Sequence, residues 1–292
     1  NVPSLSSYAA NYSIFGGGAP ENSRPTAPLT LIPVNGSSIT NRTPTFTWVN
    51  STDADSDIIS YHLQVDDNQL FNNPEINISA IQGTIPGQAD TSYFSSAGSV
   101  ELAVDTQYFW RVRANDSGGF GGWSDSATLP DWANGDNHSN FTVNSLLSFT
   151  FTNAIVQFGT IDNGQNVSTF GGDAAGNQNP IRAQNTGNIE MNVSINASPL
   201  FTEVSMNQSY FQFKITANES NSFYSPLSAT AWTNMSRDAV GMMIPPLFHV
   251  VNLSWRNVKN DFLLDLNLSV PFNETAGGKD TNITFFITGY VS

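Results

Sequence analysis

Residues 189–197 run Ile189-Glu190-Met191-Asn192-Val193-Ser194-Ile195-Asn196-Ala197. Apolar side chains stand at 189, 191, 193 and 195, and polar ones stand between them. A period of two is the mark of a β-strand with one packed face and one wet face, because successive Cβ atoms point to opposite sides of a pleat. The same rhythm returns along the chain. Phe46 and Trp48 alternate with threonines. Ile59, Tyr61, Leu63 and Val65 form a second inward row, and Ile76, Ile78 and Ala80 a third. Tyr108, Trp110, Val112 and Ala114 form a fourth. Turn signals separate these runs every 8–12 residues or so, and no helical period competes with them, so the chain is expected to be all-β.

The wet faces carry a second pattern. Asn192 and Asn196 each open an Asn-x-Ser triplet, the acceptor for N-linked sugar, and both lie on the polar face of one strand. Such triplets begin at Asn11, Asn35, Asn41, Asn50, Asn77, Asn115, Asn137, Asn140, Asn166, Asn192, Asn196, Asn207, Asn218, Asn234, Asn252, Asn267, Asn273 and Asn282, 18 in all. With 34 Asn and 59 Ser plus Thr among 292 residues, random order gives about 7. The excess, and its placement opposite apolar faces, argues for selection rather than composition. Only 12% of residues are charged, about half the usual share. Covalent glycans would supply the missing hydrophilicity.

Composition excludes several functions. Net charge is −14 and pI about 4.2, which disfavours nucleic acid as a partner, since phosphate binding needs basic patches. The absence of cysteine removes thiol catalysis, disulfides and Cys-ligated zinc. No apolar run approaches the roughly 20 residues that span a bilayer as a helix, so no membrane span is expected. The chain begins with Asn rather than Met, and a removed leader peptide is expected.

Three segments are expected: an arm and linker over residues 1–26, a first β-sandwich over 27–144, and a second over 145–292. Within the arm, residues 7–15 alternate, with Tyr8, Ala10, Tyr12 and Ile14 on one face and Asn11 opposite. Gly16-Gly17-Gly18 ends this strand, and Pro20, Pro25 and Pro28 keep the following chain extended. Residues 16–28 could reach about 43 Å at 3.3 Å per residue. In the second sandwich, strands are expected at 148–152, 155–158, 189–197, 210–215, 250–255, 263–270 and 283–287. Residues 220–246 lack a strand period and should hold a loop or one short helix.

The first sandwich resembles the fibronectin type III family as found in prokaryotic surface proteins. The residues that carry the resemblance are Thr45-Phe46-Thr47-Trp48, Tyr61-His62-Leu63-Gln64-Val65-Asp66, the run from Asp105 to Ala114, and Gly122-Trp123-Ser124. It implies a buried Trp48 and a tyrosine-corner role for Tyr108. Phe158-Gly159 and Asn185-Thr186-Gly187-Asn188 are similar to immunoglobulin-like surface modules. More distantly they resemble the fibre-forming TasA/camelysin group and archaeal bundling pili. Dense acceptors without cysteine also resemble archaeal S-layer and pilus subunits. The second resemblance implies assembly into filaments by strand exchange between subunits.

Catalysis finds little footing. His62, His138 and His249 are scattered, and no metalloprotease, nucleophile-elbow or phosphate-loop pattern occurs. Gly118-Gly119-Phe120-Gly121-Gly122 precedes a strand rather than a helix, which fits phosphate binding poorly. Asp53-Ala54-Asp55-Ser56-Asp57 places carboxylates at alternate positions, and Asp53, Asp55 and Asp57 could hold calcium, with Asp66 and Asp67 as neighbours. The Gly and Glu of a helix–loop–helix calcium loop are missing, and an ordinary solvated turn is the plainer alternative. Trp48, Trp110 and Trp255 fall on apolar faces and are expected in cores. Trp132 stands in a turn and could cover a domain junction or stack on a sugar. Together these features predict a non-enzymatic, N-glycosylated extracellular subunit that polymerises with itself, with Tyr8, Ala10, Tyr12 and Ile14 as the connecting strand. A monomeric or S-layer-associated adhesin is the alternative.

Overall fold

The computed structural model describes residues 21–82, 91–94, 100–126, 138–170, 179–201, 210–235 and 248–290. Among these, every regular element is a strand except one 3₁₀ turn at Ser225–Leu227. The chain is all-β, in tandem β-sandwiches. It divides into two compact units, residues 1–37, 43–100 and 107–141 in one, and 38–42, 101–106 and 142–292 in the other.

The N-terminal sandwich is built from β1 (Leu29–Ile32), β2 (Ser37–Ile39), β3 (Thr45–Val49), β4 (Ser60–Asp66), β5 (Ile76–Gln82), β6 (Thr91–Phe94), β7 (Thr106–Asp116), β8 (Gly119–Trp123), β9 (Asp125–Ser126) and β10 (Ser139–Val143). One sheet has the order β6-β3-β1-β9. The other runs β2-β10-β7-β4-β5, with β8 hydrogen-bonded to β7. Alternation decides which side chains meet between the sheets. Phe46, Trp48, Leu63, Val65, Trp110, Val112 and Phe141 are fully buried there. Their rings interlock edge to face: Phe46 lies 5.2 Å from Trp110 and Trp48 5.3 Å from Tyr61. Tyr108 is buried and stacks on Phe141. The phenol oxygen of Tyr61 accepts a hydrogen bond from the Ser51 amide, pinning the chain that leads into β4.

β5 departs from the simple alternation. Ile76 is buried, but Ile78 is exposed and Ala80 sits at φ +59°. Tyr61 pairs with Ile81 whereas Leu63 pairs with Ile78, so one extra residue bulges from β5. A bulge rotates the residues beyond it to the other face, which takes Ala80 out of the inward row and sets Ile81 opposite Tyr61, whereas Ile78, opposite buried Leu63, keeps the inward side and is 37% exposed.

The second sandwich comprises β11 (Phe149–Phe151), β12 (Asn166–Ser168), β13 (Ile181–Asn185), β14 (Glu190–Ala197), β15 (Phe211–Ala217), β16 (Thr233–Asn234), β17 (Val250–Leu253), β18 (Asp261–Ser269) and β19 (Ile283–Tyr290). One sheet is ordered β11-β13-β18-β15-β16, with β12 also on β18. The other is the three-stranded β17-β14-β19. β14, the strand read first in the sequence, is the centre of that smaller sheet. It pairs with β19 over eight residues, Glu190↔Tyr290 to Ala197↔Ile283. Met191, Val193 and Ile195 have no exposed surface and face Phe213, Phe262 and Leu264 across the core.

β18 is the spine of the larger sheet and carries two buried carboxylates, Asp261 and Asp265. Burial of a charge is tolerable only with partners. Asp261 is held by Arg182 and by the Asn218 amide, and Asp265 accepts from Thr169 and Thr216 hydroxyls. The expected strand at 155–158 does not form. Ile155 is largely exposed, and this apolar run instead lines a cleft. Trp255 is half-buried rather than core. It lies beside the guanidinium of Arg256 at 5.4 Å, because β17 ends at Leu253 and its inward alternation stops there.

Candidate functional site

Three places hold the residues singled out by the sequence. The first is the set of acceptor asparagines. Asn11, Asn137 and Asn207 lie outside the described residues, as do Tyr8, Ala10, Tyr12, Ile14 and Trp132. None of the other fifteen acceptors is buried, whereas Asn185, Asn188 and Asn260, which open no triplet, are. Water-facing strand positions and loops account for this split. Asn192 and Asn196 alternate outward on β14, and Asn267 does so on β18. Asn252 sits at φ +55° on β17, and its amide donates to Asn192 Oδ1 at 2.9 Å. Two acceptors thus stand side by side on one outer face.

The second place is an acidic loop. Asp53 and Asp57 converge with Asp116 from β7, one carboxylate oxygen of each lying within 4.8 Å of the others. Asp53 Oδ1 takes the amides of Asp55 and Asp57, at 2.8 and 3.2 Å. Asp53 Oδ2 is buried and has no hydrogen-bond partner among the described residues. Asp57 accepts from the Ser117 hydroxyl at 2.7 Å, and Asp116 accepts the amides of Gly118 and Gly119. Asp55 is not part of this group and takes the Ser23 amide at 2.6 Å. The ligand trio offered by the fold is therefore Asp53, Asp57 and Asp116, and its donors are the hard oxygens that calcium takes. Asp116 is some sixty positions from Asp53, and nothing in the sequence links them. Asp66 and Asp67 form a separate group with Glu75. Asp66 is buried, with its oxygens taken by the amides of Asn68 and Asn73. Burial, reinforced by the two aspartates, raises the Glu75 carboxyl above the ordinary range.

The third place is a cleft of about 1570 Å³ in the second sandwich. Its walls are Phe149 and Phe151 of β11, Leu266 and Leu268 of β18, and Ile283, Phe285 and Ile287 of β19. The apolar run at 154–163 forms its rim. Phe285 lies 4.8 Å from Phe151 and 5.9 Å from Phe149. β19 is an edge strand: among the described residues its one ladder is to β14. An unpaired strand edge beside apolar walls is a ready template for a further strand. The cleft also exceeds the roughly 300–1,000 Å³ of a small-molecule pocket. The histidines do not gather. His62 lies on the outer face of β4, while His249 is buried against Phe213 with Nδ1 accepting the Ile195 amide at 2.7 Å. Burial lowers the His249 pKa from its ordinary value.

Comparison with known proteins agrees with this architecture. Residues 33–130 match the family of Rha78A-like N-terminal immunoglobulin domains. An Ig/FnIII-like module is thus present in the N-terminal part of the chain. No curated protein matches. Among solved structures, the FN1–FN3 domains of chicken CNTN1 are 15% identical with a TM-score of 0.26, covering 94% of this chain and 66% of that one. An α-L-rhamnosidase from Dictyoglumus thermophilum is 11% identical with a TM-score of 0.27, and the match covers 93% of this chain and 29% of the rhamnosidase. A chaperone–tip adhesin complex of CFA/I fimbriae is 13% identical with a TM-score of 0.27, over 94% and 86% of the two chains. At such scores none of the three bears on function. The sandwich assignment rests on the chain's own sheets and on the family match. Among the described residues no helix is long and apolar enough to cross a membrane.

Proposed function

We propose that the chain is a structural subunit of an N-glycosylated extracellular filament, pilus-like in construction, in which the arm of one copy adds as a strand to the second sandwich of the next. The observation that carries this reading is the apolar cleft beside the edge of β19. β19 has eight residues, a length of about 26 Å. Residues 7–15 would span about 30 Å as a strand. Their apolar side chains, Tyr8, Ala10, Tyr12 and Ile14, recur every second position, the spacing that lets one strand face fill a cleft while its backbone pairs with the β19 edge. A lone strand is not stable in water, so the arm gains its order from the sheet it joins. A head-to-tail contact of this kind makes open filaments rather than closed rings. The role is structural rather than catalytic, its partners being other copies of the chain and covalent glycans. The resemblance to archaeal surface pili belongs to the same reading.

Calcium belongs to it as well, at Asp53, Asp57 and Asp116. The buried, partnerless Asp53 Oδ2 gains a counter-charge from a cation held between the three.

Deleting residues 1–15 tests the connector. The truncated protein should remain folded and sediment as a monomer, while the full chain forms filaments visible by negative-stain electron microscopy. Filaments of normal diameter from the truncated protein would rule the arm out. A full chain that stays monomeric at all concentrations would leave the adhesin alternative in its place.

A further inference from the structure

The outer face of the sheet β5-β4-β7-β8 carries a ladder of stacked side chains. The Arg111 guanidinium lies over the rings of Phe71 and Trp123, at 4.0 Å from each. The Arg113 guanidinium lies over Trp123 at 4.3 Å and Phe120 at 3.7 Å. Register explains the order: His62 pairs with Arg113, Gln64 with Arg111, Gln64 with Asn77, and Arg113 with Trp123. The outward positions of four strands therefore meet on one surface.

Two chains of hydrogen bonds on this surface run toward one atom. Arg111 donates from Nε and Nη2 to Gln64 Oε1, at 2.9 and 2.7 Å, and Gln64 Nε2 faces Asn77 Oδ1 at 3.5 Å. Arg113 donates from Nε and Nη2 to His62 Nδ1, at 3.3 and 3.2 Å. An imidazole that accepts at Nδ1 donates from Nε2, and His62 Nε2 lies 2.7 Å from Asn77 Oδ1. Two relays thus end on the carboxamide oxygen of Asn77, fixing which end of the amide is oxygen. Asn77 Nδ2 is left with no hydrogen bond among the described residues, on an exposed residue that opens the triplet Asn77-Ile78-Ser79. Neither arginine forms an ion pair among the described residues, and each keeps Nη1 unused.

We infer that this face is the seat of the N-linked oligosaccharide carried by Asn77. The first sugar residues lie across His62 and the exposed side of Phe120, which is 38% exposed, and the spare N–H groups of Arg111 and Arg113 donate to sugar oxygens. The inference rests on the reading of the chain as a glycoprotein. In the attachment step Asn77 Nδ2 gives up one proton and bonds the anomeric carbon of a lipid-phosphate-linked oligosaccharide. The lipid phosphate leaves with the electron pair of the broken C–O bond, and the proton released from Nδ2 passes to solvent. The remaining Nδ2–H and the fixed Oδ1 hold the first sugar over the sheet. A sugar seated in this way shields ring edges that the protein by itself leaves wet.

Site-resolved mass spectrometry of natively purified protein, combined with hydroxyl-radical footprinting, tests the seat. Asn77 should carry sugar. Oxidation of Phe120 and Trp123 should rise several-fold in Asn77→Gln and stay unchanged in Asn252→Gln. Unglycosylated wild-type protein and unglycosylated Asn77→Gln should oxidise at equal, fast rates, which separates sugar cover from any effect of the substitution on the relay. An occupied Asn77 with unprotected rings would overturn the seat while leaving the glycoprotein reading intact. A bare Asn77 on a chain that carries sugar at Asn192 would do the same. No sugar at any acceptor would overturn the glycoprotein reading as well.

Discussion

Phe285→Ala separates the cleft from the core. In the monomer the Phe285 ring is half-buried and touches two rings, Phe151 at 4.8 Å and Phe149 at 5.9 Å. An aromatic pair contributes about 0.5–1.5 kcal/mol beyond its buried area, so losing the two pairs should cost the isolated subunit about 1–3 kcal/mol, to which the lost burial of a half-buried ring is added. Ile195→Ala in the filled core, with no exposed surface, should cost the monomer about 2–5 kcal/mol, because the cavity it leaves cannot fully collapse. Assembly should reverse the ranking. Phe285 forms the wall against which an arm side chain would bury, and full burial of one large apolar side chain stabilises by about 1.5–3 kcal/mol. Loss of about 2 kcal/mol at each contact raises the critical concentration for filaments roughly 30-fold. Ile195→Ala should melt earlier yet assemble, once folded, at the wild-type critical concentration. Thermal melts of arm-deleted protein give the monomer term, and sedimentation of full-length protein over a concentration series gives the assembly term. If Phe285→Ala polymerises at the wild-type concentration, the cleft is not the acceptor.

Two further outcomes follow from buried or clustered charges. Chelation of calcium should lower the melting temperature of the wild type, since an ion bound only by the folded state stabilises it; Asp116→Asn should abolish that shift and Asp55→Asn should retain it, and an unshifted wild type would leave an ordinary acidic loop. His249 has a folded-state pKa below its ordinary value of 6.5, so its contribution to stability is present above about pH 6.5 and is lost as pH falls through the folded value, because the unfolded chain takes up the proton first. Protonation also removes the acceptor of the Ile195 amide. Urea midpoints at descending pH should therefore fall more steeply for wild type than for His249→Gln, and parallel curves would refute the assignment.

Much of the fold was legible in local alternation. The inward rows of β3, β4, β7 and β14 can be read directly, since a period of two depends only on which face meets water. The outward placement of the acceptor asparagines that lie on strands follows from the same rule. What the sequence did not disclose are the features set by register between distant strands. One bulge in β5 turned Ala80 out of the inward row, and no residue type signals it. β13 leaves little trace in the sequence because Ile181 and Ala183 give only two inward side chains. The run at 155–158 has a strand's composition, yet it borders the cleft without pairing. Asp116 joins Asp53 and Asp57, and Asn77 meets two arginine relays, only because hydrogen-bonded ladders bring those positions together. Sequence by itself determined the strand faces, since burial on one side of a strand is a local property. Tertiary structure decided the acidic trio, the ladder and the cleft, because each depends on which strands are neighbours and, for the cleft, on an edge of β19 that among the described residues pairs with no further strand.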